Sequence, residues 1–402
     1  MGKLAIFGGT PVRDTRIHYG QQYIDEDDIA AVVRVLKSPL ITTGPEVEKL
    51  ENRLCELTTS TYAVVVSNGT AALHLSCLSL GIKPGDEVIV TPMTFAASAN
   101  CILYCGGVPV FADINPETYN ISPQSIREHI TNKTKAVIAV DFTGQAVELD
   151  EIKKICKEYN LYLIEDAAHA MGTKYNGQAV GSIADLTIFS FHPVKTVTCG
   201  EGGAILTNDK VLYDNLILLR SHAITRDPNQ MIHPTGEGWY YEQINLGFNY
   251  RMTDFQAALL CSQLNKLERF SERRKEIVKT YDDIFSQILE ISIQKEIPES
   301  DTTRHLYILR FNLNKLTCTR KDIFDALEAE NVRGNVHYIP VYYHPYYEKL
   351  GYKRGLCPNA EKLYEEIITL PLYYSMTDKD VNDVVKAVKK VINYYSSKEM
   401  NI

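Results

Sequence analysis

The chain lacks any apolar run of the roughly eighteen residues that a bilayer-spanning helix needs, and it has no basic start followed by a long apolar stretch. Neither a membrane span nor a secretory leader is expected, and the sequence reads as cytoplasmic. Cysteine pairing signals are missing too: the nine cysteines are odd in number and scattered, with no CxxC pair. Cys101 and Cys105 sit in an apolar stretch, so buried free thiols in a reducing compartment are expected, with no disulfides and no metal site. There is no basic excess, because the formal net charge is −8 and the pI is near 5.8. That balance argues against a nucleic-acid surface and leaves room for an anionic small molecule only where a few cations are placed locally. No internal repeat and no low-complexity linker interrupts the chain.

What is present is enough chain for two cores. At 402 residues and 45% hydrophobic content, two domains are the default expectation. Short apolar segments alternate with helical ones through the first half: Tyr62 to Val66, Val88 to Val90, Val108 to Phe111, Ala136 to Val140, Leu161 to Ile164, Leu186 to Phe191 and Ala204 to Leu206. Strands separated by helices need right-handed crossovers, which predicts an α/β fold with a mostly parallel sheet covered by helices. Residues 1–250 read as this large domain with an N-terminal arm. From Thr253, the residues Phe255, Leu259, Leu260, Leu264 and Leu267 follow helical spacing, and the charged run Glu268 to Lys279 continues it into one long bridging helix. Residues 251–402 read as that helix and a smaller C-terminal α+β domain, with a strand at Leu306 to Phe311 and a last amphipathic helix through Val381 to Ile392.

Lys195 and Asp166 carry the chemistry. Each follows an apolar, β-branched stretch, so each reads as the end of a buried strand or the loop just beyond it. In a parallel sheet the carboxyl ends of strands border the ligand crevice, and an acid and an amine on neighbouring ends face one cavity. Pyridoxal phosphate requires that pair: an amine for its aldehyde to condense with, and a carboxylate to keep its pyridine nitrogen protonated. Ser67-Asn68-Gly69-Thr70 follows a strand and opens a helix, so its amides form a phosphate cradle or the cap of an ordinary helix. Phe95 follows a strand at the same edge, where a ring stacks on a cofactor face or packs into the core. His169 lies one turn after Asp166 and reads equally as a cofactor contact or a satisfied histidine. Ser190 offers a hydroxyl to a phosphate, while Gly247 to Asp254 reads locally as a loop before a helix cap.

In this order the segments resemble the DegT/DnrJ/StrS type of fold-type I aminotransferases, which use pyridoxal phosphate and act on nucleotide-linked sugars. The resemblance runs from Leu4-Ala5-Ile6-Phe7-Gly8-Gly9-Thr10-Pro11, through Thr42-Thr43-Gly44-Pro45, the Asn68, Asp166 and Lys195 segments and Gly247 to Arg251, to Val336-His337-Tyr338-Ile339-Pro340. It implies that Lys195 holds the cofactor aldehyde, Asp166 the ring nitrogen, Phe95 the ring face and His169 the ring edge. Gly69, Thr70 and Ser190 would hold the phosphate, with Asn249 reaching in from the second subunit of a homodimer that shares its active sites. L-glutamate is the implied amino donor and a UDP-linked 4-keto sugar the implied acceptor, lined by Tyr19, Pro39, Leu40, Ile41, Thr42, His337 and Tyr338. Ala223, after Arg220-Ser221-His222, stands where many relatives have glycine and leaves that loop's conformation open. A dehydratase of the same family, which lacks the lysine, is set aside because Lys195 is present. A regulatory protein that binds without turnover is the rival from another class.

Overall fold

The structure, a computed structural model, describes residues 3–396. Seven strands build the central sheet: β1 (Tyr62–Val66), β2 (Glu87–Val90), β3 (Val108–Phe111), β4 (Thr134–Val140), β5 (Tyr162–Asp166), β6 (Leu186–Ser190) and β7 (Gly203–Thr207). Their spatial order is β1-β7-β6-β5-β4-β2-β3, and only β7 runs against its neighbours. Side chains alternate between two cores: Val64, Val90, Ile138, Ile164 and Ile188 point to one, Val65, Ile89, Val137, Leu163 and Phe189 to the other. A sheet buried on both faces favours apolar residues at successive positions, which is why the strands showed in the sequence as mostly apolar runs. Early helices are α1 (Glu26–Leu36), α2 (Pro45–Thr58), α3 (Gly69–Ser79) and α4 (Ala97–Tyr104).

The long helix expected after Thr253 is two helices, α5 (Asp254–Leu264) and α6 (Leu267–Phe285). The interruption serves Lys266, whose side chain is nearly buried and turns back to pair with Asp25 and, at 2.9 Å, with Asp28 at the start of α1. Gln263 Nε2 adds a bond to the same Asp28 carboxylate at 2.7 Å. A straight helix would send that ammonium elsewhere and leave the buried Asp28 carboxylate without its cation.

A small antiparallel sheet of β8 (Ile291–Ile293), β9 (Tyr307–Phe311) and β10 (Ile367–Leu370) has its own core with α6 and the final helix α7 (Asp378–Tyr395). Leu4 and Ile17 of the N-terminal arm also pack in this core. Arg13 pairs with Asp380 at 2.7 Å and Asp383 at 3.2 Å, and Glu330 accepts the Ala5 and Val12 amides at 2.9 Å each. The arm therefore belongs physically to the small unit, although a boundary at residue 250 groups it with the large one. The nine cysteines are free, and no helix among the described residues is long and apolar enough to cross a membrane.

Asp254, fully buried at the start of α5, accepts the Gly44 amide at 2.8 Å and the Glu46 amide at 2.9 Å, tying the first turn of α2 and the loop before it to the large unit. Asp254→Ala leaves two amides without their charged acceptor, an expected loss of about 3 kcal/mol in urea unfolding. Asp254→Asn, which keeps one acceptor oxygen, should lose less; equal midpoints for all three proteins would contradict this.

Candidate active site

β5 and β6 pair in parallel with Asp166 opposite Ile188, so both strands end at one edge of the sheet. The pleat sends Asp166 and Ser190 to the same face as Ile164 and Ile188. Asp166 is 4% exposed. Its Oδ2 accepts from Ser98 Oγ at 2.6 Å and its Oδ1 from the Ala168 amide at 3.2 Å. Burial raises its pKa, while Ser98, Ala168 and the charge of Lys195 push the other way. Lys195 lies in the loop after β6, where its amide donates to the His192 carbonyl at 2.9 Å. Its side chain is only half-buried by surface area because it opens into a chamber, but protein surrounds it and pushes its pKa down to about 8, against the opposing pull of Asp166. An amine with that pKa is partly neutral near pH 7 and thus nucleophilic.

The chamber holds about 1100 Å³, and Gly69, Thr70, Phe95, Asp166, His169, Ser190, Lys195, Tyr19, His337 and Tyr338 all line it. At its floor Asn68 caps α3, its side chain accepting the Ala71 amide at 2.8 Å. The turn can lie on β7 because residue 203 is glycine: a Cβ there would meet the Asn68 carbonyl carbon and oxygen at 2.5 Å. Gly69 likewise leaves space for Ser190, whose Cβ and Oγ would stand 3.0 and 3.3 Å from an added methyl. The unpaired amides at the start of an eleven-residue helix, beside two hydroxyls, form an anion cradle. Phe95, 64% exposed, turns most of its ring to open space. A phosphate cradle, a buried carboxylate, an amine and an open aromatic face bordering one chamber fit pyridoxal phosphate.

The opposite wall is a cluster of rings. Tyr338 Oη lies 3.1 Å from His169 Nε2, the His169 and His305 rings are 4.5 Å apart, and Tyr19 lies 5.1 Å from His337. His337 Nδ1 is 2.9 Å from Thr369 Oγ1, and its Nε2 is 3.3 Å from Asn335 Nδ2. Burial holds all three imidazoles neutral and the charge of Lys195 adds to it; His337 is pushed down to about 3, His169 and His305 well below the usual value. Ser98, His305, Asn335, His74 and Tyr250 border the chamber without having been singled out from the sequence. Ser98 had the best signal, standing in the same run as Phe95, but a serine at the start of a helix reads as a cap.

Five expected residues are not brought to this chain's own chamber. Pro39, Leu40, Ile41 and Thr42 are exposed in the loop before α2, with Thr42 bridged to Thr253. Asn249 is exposed and bridged to Ser221. The loop at Ala223 is also defined: His222 and Ala223 have φ of 62° and 52°, the left-handed region that glycine enters more easily. Gly247 packs flush on it, since a Cβ there would lie 2.2 Å from the Ala223 nitrogen.

The neutral histidines have a pH consequence. Their folded pKa values are depressed, so the stability they contribute is present above the ordinary imidazole value near 6.5 and is lost as pH falls. Each should add up to about 1.4 kcal/mol per pH unit to the slope of unfolding free energy below about pH 6.5. His337→Gln should remove one such share from the slope; parallel curves for variant and parent would contradict the assignment.

A sequence profile described as the DegT/DnrJ/EryC1/StrS aminotransferase family matches residues 22–389. The UDP-4-amino-4,6-dideoxy-N-acetyl-beta-L-altrosamine transaminase of Campylobacter jejuni is 39% identical over 372 residues, 92% of this chain and 95% of that protein. The spore coat polysaccharide biosynthesis protein SpsC of Bacillus subtilis is 38% identical over 382 residues, 94% of this chain and 98% of that one. Among solved structures, Helicobacter pylori PseC, described as an aminotransferase of pseudoaminic acid biosynthesis, superimposes with a TM-score of 0.88 at 31% identity over 94% of this chain and all of its own. The putative sugar aminotransferase Spr1654 of Streptococcus pneumoniae, solved in PLP and PMP forms, does so with TM-scores of 0.87 and 0.88 at 33% and 32% identity, over 94% of this chain and 99% of its own. The chain belongs to the DegT/DnrJ/EryC1/StrS aminotransferase family and is a sugar aminotransferase dependent on pyridoxal phosphate.

Proposed function

We propose that this enzyme moves the amino group of L-glutamate to C4 of UDP-2-acetamido-2,6-dideoxy-β-L-arabino-hex-4-ulose, giving UDP-4-amino-4,6-dideoxy-N-acetyl-β-L-altrosamine. The observation that carries the reading is one chamber bordered by the Lys195 amine, the Asp166 carboxylate and the amides of α3, with ring-walled space left for a second ligand. The transaminase identity of the Campylobacter jejuni relative supports the acceptor. SpsC, equally similar and differently named, favours testing other 4-keto and 3-keto nucleotide sugars beside it. Free cysteines throughout agree with a reducing, cytoplasmic setting.

Pyridoxal phosphate, when bound, supplies the electron sink for the pair left on the carbon that gains or loses the amine. The chain's own groups do the rest. The α3 amides, Thr70 and Ser190 would anchor its phosphate, Phe95 and His169 would hold the ring face and edge, and Asp166 would keep the proton on the ring nitrogen. Lys195 Nζ, partly neutral near pH 7, moves the proton to and from sugar C4. Tyr19, His337 and Tyr338 orient the sugar, and their close packing excludes water from the reacting carbon. Amino donor and acceptor use one chamber in turn, so initial rates should follow ping-pong kinetics.

The working form in this reading is a homodimer with shared sites. Asn249 and the loop Pro39 to Thr42 are exposed and outside their own chamber, which leaves them free to complete the partner's. Trp239, Tyr241 and Leu246, exposed on the chain just before Asn249, need an apolar cover.

Incubation with glutamate and a panel of keto nucleotide sugars should consume the UDP-linked 4-keto-6-deoxy sugar, release 2-oxoglutarate and place the amine on C4 by NMR. Turnover of a 3-keto sugar alone, or of none, would overturn the proposed substrate. Lys195→Ala should lose about a thousandfold or more in turnover. Refolding Lys195→Ala with Asn249→Ala subunits should restore up to roughly a quarter of wild-type turnover, the statistical share of intact sites in a random dimer mixture. A mixture no more active than its two components would contradict sharing.

A further inference from the structure

Directly behind Asp166 lies a second pair of carboxyls that the reaction does not touch. Glu165 and Asp166 end β5, and the pleat turns them to opposite faces: Asp166 into the chamber, Glu165 into the core of Leu163, Phe189 and Ala204. Asp141 follows β4 and donates its amide to the Asp166 carbonyl at 3.1 Å. Glu165 and Asp141 are both 0% exposed and within hydrogen-bonding reach of each other. Glu165 Oε2 accepts from Thr187 Oγ1 at 2.8 Å and Asp141 Oδ1 from the Val147 amide at 3.0 Å. The other oxygen of each, Glu165 Oε1 and Asp141 Oδ2, has no donor among the described residues.

Among the described residues, the charged groups that face this pair are the two carboxyls themselves and Asp166, while β6 offers the Thr187 hydroxyl and the turn after β4 the Val147 amide. Two full negative charges there, without a cation, would cost many kcal/mol of desolvation. One proton on either carboxyl turns an acceptor into a donor and satisfies both orphaned oxygens at once. Burial raises the pKa of both groups, in keeping with a retained proton. One negative charge remains on the pair, close behind the Asp166 carboxylate.

We propose that Asp141 and Glu165 share a single proton and act as positioning residues: the charge left on the pair strengthens the hold of Asp166 on the cofactor's ring nitrogen. The second half of this rests on Asp166 contacting that nitrogen, as assigned above. A negative charge behind Asp166 makes its carboxylate a better acceptor for the ring N–H and favours the cationic, lysine-bound cofactor.

Infrared spectra of the wild-type holoenzyme near pH 7 test the proton, and the absorbance of the bound cofactor against pH tests the charge. The wild type should show a buried protonated-carboxyl C=O band, shifted in deuterated water and missing from both Glu165→Gln and Asp141→Asn. In each single variant the amide stands in for the protonated acid and one charge remains, so the absorbance titration should stay with that of the wild type. The double variant Asp141→Asn/Glu165→Gln removes the charge, and its titration should move down by about one pH unit. No band in the wild type would overturn the shared proton, and that measurement stands even where a variant fails to fold. A double variant that titrates with the wild type, or single variants that move as far as the double, would overturn the positioning role. Asp166→Asn without spectral change, with the band intact, would instead put the fault in the assignment of Asp166.

Discussion

A carboxylate and an amine, both taken out of bulk water and facing the same chamber, are the constraint on which the rest of the structure depends. Asp166 is kept at the end of β5 by a hydroxyl and an amide, and its remaining need for positive charge points at Lys195. Lys195, surrounded by protein, would lose its proton more readily still without Asp166. Burial and mutual attraction oppose each other there, and the balance leaves an amine able to give and take a proton near neutral pH.

The remaining architecture supplies what that pair needs. The parallel register of β5 and β6 brings the two strand ends together, and glycine at positions 69 and 203 lets the start of α3 close over the same edge. Three neutral imidazoles face Lys195 without competing for a negative partner. In a chain of net charge −8, the ammonium of Lys195 and the amide dipoles of α3 supply the cationic character that borders the chamber. The same logic extends behind the sheet, where Asp141 and Glu165 avoid a double charge next to Asp166.

Much of this was legible in the sequence because it is local. All seven central strands were read nearly to their ends, since burial on both faces writes an apolar run into consecutive residues. Lys195 and Asp166 stood out from standing at strand ends, and Gly69, Thr70, Phe95, His169 and Ser190 stood near those ends with a structural alternative still open; strand order brings all seven to one chamber. What escaped depends on partners distant in sequence. Ser98 earns its place through a residue 68 positions away, and Lys266 breaks a well-patterned helix for acids about 240 positions earlier. Leu4 and Ile17 join the small core because of helices near the other end of the chain, which no local period records. Asn249 and the loop Pro39 to Thr42 were placed by resemblance alone, and a single subunit leaves them outside its chamber.

In this reading the Lys195 amine is the group that meets the cofactor aldehyde. Borohydride reduction of the holoenzyme, followed by proteolysis and mass spectrometry, tests it most directly. One phosphopyridoxyl-labelled peptide per subunit, with the label on Lys195, is expected. A label on another lysine, or cofactor released intact with no labelled peptide, would contradict it.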